Sequence, residues 1–212
     1  YHRRYRMFAL VESGSITKMM RGNLGLKIGD NQYPADIYTK WTEAERNAIG
    51  IYTIEIDGTN KKDNEWYINT NITYAYDSSS NKVKGTYGTA TARAHADTLY
   101  TSDDKTAGDI PTGKDVGDVK TEGLKTVLIR QVKIDAEAIL NETDWYVTRK
   151  AEKSTAIPSA ITTHRDAVRT KQAEMETAIT NAADTPALET LYTYTVTDGV
   201  QSRPLGDLPR LT

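Results

Sequence analysis

The chain has 212 residues, enough for one large domain or two small ones. Its hydrophobic fraction is 38%, with one Phe against 13 Tyr, so wide surfaces over thin cores are expected. A net charge of -2 gives no general pull toward nucleic acid, the absence of cysteine excludes disulfides and thiol chemistry, and no apolar run reaches the ~20 residues of a membrane span.

Residues 1–6, "YHRRYR", form a basic arm, read as a disordered arm or docking strap. No secretory signal follows, since only "MFALV" precedes Glu12. Residues 7–57 read as a small β-rich unit. "MFALV" and "ITKMM" form a hairpin across "ESGS", where Gly14 suits positive φ. Pro34 argues against a central strand in "RGNLGLKIGDNQYP". Thr42 and Glu45 fit a capping box that opens a short helix, and Gly50 fits its left-handed stop. "IYTIEID" alternates Ile51, Thr53 and Glu55 with Tyr52, Ile54 and Ile56, the period of a strand. Residues 58–100 continue as a β-hairpin region, with "EWYINTNITYAY" and "KVKGTYGTATA" on either side of "DSSSN". Residues 101–122 carry almost no large apolar side chains and are read as an acidic, mobile loop or linker.

Residues 123–184 are expected to be a helical hairpin. Leu124, Val127, Leu128, Ala138 and Ile139 lie at helical spacing, and "TDWYVTRKAEK" reads as an aromatic, half-extended interruption. A second helix starts near Pro158, which suits a first-turn position, and runs to about Ala183. Ile161, Val168, Met175 and Ala182 recur every seven residues as a narrow seam. Arg165, Lys171 and Glu174 then lie off it, in solvent or facing a partner. Residues 185–212 form a tail with a turn of helix, a strand at "YTYTV" and a Pro-rich end. The fold class is therefore α+β: an N-terminal β-rich domain of hairpins plus one short helix, then a C-terminal antiparallel helical hairpin.

Chemical signals are weak. "GDIPTGKD" places Gly108, Gly113 and Lys114 as in a phosphate-cradling loop, but no strand precedes it, and Asp115 stands where a magnesium-binding hydroxyl belongs. It reads as a solvated loop. Asp103, Asp104, Asp109, Asp115 and Asp118 lack the spacing of a calcium loop. His2, His95 and His164 are far apart and fit no zinc motif. "HRDAV" imitates a kinase catalytic loop but sits inside an amphipathic helix. No catalytic, cofactor-binding or metal residue is assigned.

The run "LIRQVKIDAEAILNETDWYVTRKAEKSTAIPSAITTHRDAVRTKQAEMETAITNAADTPALETL" resembles a C-terminal module of tailed-bacteriophage tail-fibre and baseplate-associated proteins. The matching residues are Leu140, Thr143, Asp144, Trp145, Tyr146, Val147, Arg149, Lys150, Glu152, Ala156, Ile157, Pro158, Arg165, Ala167, Val168 and Arg169. His164 stands where that pattern has Tyr. "FALVESGSITK", "IGDNQYPADIYTKWTEAERNAIGIYTIEI" and "ITYAYDSSSNKVKGTY" resemble the small N-terminal β unit of the same proteins. The resemblance implies a virion structural protein without enzymatic activity or cofactor, made in the host cytoplasm and mounted on the tail. There it would attach an appendage as a tail fibre or a baseplate or neck connector.

The partners so implied are other tail, neck or baseplate proteins and further copies of the chain, with a homotrimer preferred because fibres commonly use threefold symmetry. Trp145, Tyr146, Ile161, Val168 and Met175 are the expected subunit-interface residues, so Val168→Asp is expected to abolish oligomer formation. Two alternatives remain: an assembly chaperone that leaves before the virion matures, and a receptor- or glycan-binding adhesin with Trp41, Trp66 and the tyrosines as its platform.

Overall fold

The computed structural model describes residues 6–211, so the basic arm at residues 1–6, with His2, lies outside the described residues except for Arg6. The chain forms two compact units divided between Thr91 and Ala92, and the fold is α+β.

The first unit contains β1 (Met7–Glu12), β2 (Ser15–Arg21), β3 (Leu26–Ile28), β4 (Asn31–Tyr33), α1 (Ile37–Lys40), α2 (Glu43–Ala48), β5 (Ile51–Asp57), β6 (Tyr67–Ile68), β7 (Ile72–Asp77) and β8 (Lys82–Tyr87). A five-stranded sheet runs β2-β1-β5-β8-β7. Ser13 and Gly14 both take positive φ, the geometry of the tight turn that joins β1 to β2. β1 has both faces covered, which explains its unbroken run of four buried residues. Phe8 and Leu10 point to one core with Leu26, Ile37, Tyr38 and Ile51, while Ala9 and Val11 meet Val83 on the other face. The expected capping box is present, with Glu45 N–H donating to Thr42 Oγ1 at 3.3 Å and Thr42 N–H donating to Glu45 at 2.7 Å. Gly50 has φ +80°, and its N–H donates to Asn47 O. A Cβ there would stand 2.7 Å from Val11 O, so the turn into β5 is closed to other residues.

Two expectations change here. The unit has two short helices where one was read, because residues 37–40 turn ahead of the capped helix. Residues 7–57 and 58–100 are not separate regions either. β8 pairs with β5 in parallel, Ile54 beside Val83 and Ile56 beside Gly85, so one sheet spans both.

β9 (Thr91–Ala92) falls at the junction. The second unit contains β10 (Thr98–Leu99), α3 (Ser102–Ala107), β11 (Val119–Thr121), α4 (Leu124–Asn141), α5 (Asp144–Lys153), α6 (Ser159–Asn181), α7 (Thr185–Tyr192), β12 (Thr195–Thr197) and β13 (Val200–Ser202). Residues 92–100, placed above with the β region, serve this unit. Ala94 O and His95 O accept from the N–H groups of Leu124 and Lys125, and Asp97 accepts from Gly123 N–H at 2.7 Å. Gly123 brings no capping side chain of its own, so Asp97 supplies the cap from 26 residues away. Those hydrogen bonds, from Gly123 first and Thr126 second, hold the Asp97 carboxyl below its ordinary pKa.

α4 and α6 run antiparallel. Lys125 at the start of α4 donates to Thr180 O near the end of α6, and Arg165 near the start of α6 donates to Leu140 O at the end of α4. Ala136, Ile139 and Val168 form the core between them, with Leu140 and Leu208 packed against it.

Residues 101–122 are not an unstructured linker. Thr101 caps α3 through the Asp104 N–H while Asp104 accepts from Thr101 N–H, and β11 pairs with β10. Polar contacts do here what apolar content does elsewhere. Lys120 pairs with Asp104, and Lys105 with Asp115 at 3.0 Å.

Candidate functional site

The resembling run in the second unit comes together around one arginine. Along α6 the buried residues are Ile161, Arg165, Val168, Met175 and Ile179, steps of four, three, seven and four that keep to one face of the helix. Arg165 thus occupies a seam position, which corrects the expectation that it points to solvent or a partner. Only 8% of its surface is exposed. Its Nη1 donates to Leu140 O and to Thr143 Oγ1, both at 2.7 Å, and lies 2.8 Å from Asp144 Oδ1. The first contact adds a charged donor to a helix-end carbonyl that also accepts from Thr143 N–H at 3.1 Å and Thr143 Oγ1 at 3.0 Å. The third neutralises an acid in the first turn of α5, where the helix dipole already favours negative charge.

The clamp sets the direction of α5, the segment expected to be half-extended. It is a helix of ten residues, ended by Ser154 at φ 57° with its N–H on Lys150 O. None of its residues is buried. Trp145 is 52% exposed and its ring lies 3.7 Å from that of Tyr146, centroid to centroid. The Arg149 guanidinium covers both rings, at 4.7 Å and 5.2 Å. The result is a short surface helix that presents a stacked aromatic and cationic face.

The expected interface residues therefore divide. Trp145 is open on the surface and Tyr146 is half-buried beside it. Ile161, Val168 and Met175 are shielded within the single chain, Val168 completely. A side chain already covered by its own α4 has no surface left to bury against a second copy, so the seam is core and not interface.

The phosphate-loop look-alike lies in the reverse of the setting that chemistry needs: α3 precedes it and β11 follows. Gly108 closes α3 in the left-handed region, Lys114 N–H donates to Pro111 O, and Asp115 is turned to Lys105. Nor do Trp41 and Trp66 form an open platform. Trp66 is 4% exposed, and Trp41 is half-buried edge-on to Tyr33 at 5.9 Å. Among the described residues no group of three His, Asp or Glu side chains is placed to hold a metal, and no helix is long and apolar enough to cross a membrane.

The clamp had a legible signal, the three-and-four spacing that puts Arg165 between Ile161 and Val168. The Asp97 cap had none, because cap and helix are brought together only by the folded chain. Comparison with family models, with curated proteins and with solved structures finds no match.

Proposed function

We propose that the chain is a non-enzymatic structural protein of a tailed-bacteriophage virion, a tail fibre or a baseplate or neck connector that attaches an appendage to the tail. One observation carries this reading. Leu140 and Arg169 of the resembling run border an open groove along α6, while Leu140, Thr143, Asp144 and Arg165 build a clamp, and the clamp holds α5 out with Trp145 and Arg149 on its surface. A presented helix is suited to docking, since an exposed aromatic beside an arginine is the kind of anchor that carries binding energy once water is excluded. In this reading the partners are other tail, neck or baseplate proteins and further copies of the chain.

The test is mass spectrometry of purified particles from phage carrying the wild-type gene or Trp145→Glu. The wild-type chain is expected in mature particles at a fixed ratio to the tail proteins. The variant is expected to fold with unchanged melting yet to be depleted from particles. A wild-type chain found in the lysate but missing from particles would be an assembly factor and would overturn the reading.

A further inference from the structure

The last two strands stand apart from every core. β12 and β13 form a hairpin joined by Asp198 and Gly199, both at positive φ, with Thr195 opposite Ser202, Val196 opposite Gln201 and Thr197 opposite Val200. Every residue of both strands is exposed; Val196 is 70% open and Val200 66%. A two-stranded ribbon alone in water is marginal, and a third strand or a covering layer is what makes one stable. The base of this one is nevertheless firmly held. The Arg203 guanidinium lies 5.2 Å from the Tyr192 ring and 4.9 Å from the Tyr194 ring, Arg203 pairs with Asp207 at 2.8 Å, and the Tyr194 hydroxyl donates to Asp207 at 2.8 Å. The hairpin is thus presented rather than frayed.

We infer that β12 is a self-pairing edge: two copies of the chain join β12 to β12, antiparallel about a twofold axis at Thr195, and build a four-stranded sheet. The register follows from backbone geometry. A two-residue loop makes Thr197 and Val200 a hydrogen-bonded pair, so Thr195 and Ser202 form the next one. The amides and carbonyls of Tyr194 and Val196 then point away from β13. Set antiparallel, Tyr194 of each copy exchanges both backbone bonds with Val196 of the other. Their side chains share a face and meet directly, an aromatic against a β-branched side chain, the kind of cross-strand pair that stabilises sheets. This covers the most open valine of the hairpin.

Charge and sequence favour a second copy over a foreign strand. Strand edges left unpaired in monomers are ordinarily guarded by lysine, proline or a bulge. Residues 193–197, "TYTVT", have none of these and no charge, so two copies approach without repulsion. The opposite edge is different. β13 runs into Arg203, a charged residue on that edge that is engaged with two tyrosines. Pairing through β12 alone closes at two copies, in place of the threefold symmetry expected of a fibre. The hairpin lies outside the resembling run, and the inference does not rest on the phage reading.

The experiment is light scattering and sedimentation on the purified full chain over a concentration series, with amide exchange read by mass spectrometry. The wild type is expected to be a dimer whose residues 193–197 gain protection as concentration rises. Val196→Pro deletes one edge donor from each copy but none of the hairpin's internal bonds. It is expected to weaken association roughly thirtyfold, two of four edge bonds being lost. Gln201→Pro makes the same deletion on the other edge and is expected to leave the dimer intact. Val196→Lys, which adds an edge guard without proline, is expected to act as Val196→Pro does. A wild type that stays single at the highest concentration, or forms a trimer, overturns the inference. So do Val196 variants that still dimerise, or a Gln201→Pro variant that dissociates as far.

Discussion

Arg165 shows how much of the second unit depends on one side chain. Its Nη1 holds three oxygens within 2.8 Å at the point where α4 ends and α5 begins, and the residue is buried. Removing it takes a charged donor from the Leu140 carbonyl and from the buried Thr143 hydroxyl, which keep only their mutual bonds at 3.0–3.1 Å, whereas Asp144 stays half exposed and can turn to water. Arg165→Ala is therefore expected to cost about 2 kcal/mol, the Asp144 share being discounted for solvent screening. Arg169 makes a useful control one turn along. It pairs with Asp166 on the open face of the same helix at 3.4 Å, and Arg169→Ala is expected to change stability by less than about 0.5 kcal/mol. Urea unfolding followed at the helical band reads both. Equal midpoints for the two variants would show that the clamp does not hold the unit together.

The elements that could be read in advance are those specified by their own residues. β5 alternates, α2 carries its capping box, and α6 repeats its seam, so periodicity and caps located all three. α5 was missed because it has no apolar stripe to read; its beginning is held by Arg165 from another helix and its end by Ser154 in the left-handed region. The parallel pairing of β5 with β8 was missed for a similar reason, since the partner strands are separated along the chain. α3 is the instructive case. Its cap was present as Thr101 and Asp104, but an acidic, apolar-poor stretch reads as linker unless the cap is weighed first. That lock also titrates. Lys120 chiefly, with the Thr101 N–H and hydroxyl, lowers the Asp104 carboxyl to about 2. An unfolded Asp titrates near 3.9, so the folded state binds its proton less readily than the unfolded one. The stabilisation is complete above pH ~4 and is lost as pH falls toward the folded value. The amide protons of residues 101–107 should lose protection between about pH 4 and pH 2, and Asp104→Asn should remove that acid dependence locally. Protection that is flat across this window would mean the arm is held by something else.

The molecule as a whole carries separate cores. Phe8, Leu10, Leu26, Ile37 and Ile51, with Ala9, Val11 and Val83 on the other face of the sheet, belong to the first unit; Ala136, Ile139 and Val168 belong to the second. No buried residue is shared between these clusters. Val168→Asp is the sharpest probe, because the site has no exposed surface, its cluster is apolar, and the seam cation one turn away, Arg165, is already held by Leu140 O, Thr143 and Asp144. Breaking a fully packed site with an unpaired charge belongs to the mechanisms that exceed about 4 kcal/mol, enough to unfold a unit with so small a core. The expected outcome is loss of most of the helical circular-dichroism signal. In the same sample, exchange protection should persist at the amides of β1, β5 and β8. Both signals collapsing together would show that the second unit supports the first, and unchanged helicity would show that Val168 does not hold α4 against α6. In either of the first two outcomes any loss of self-association follows from unfolding of this core, not from removal of a contact between copies.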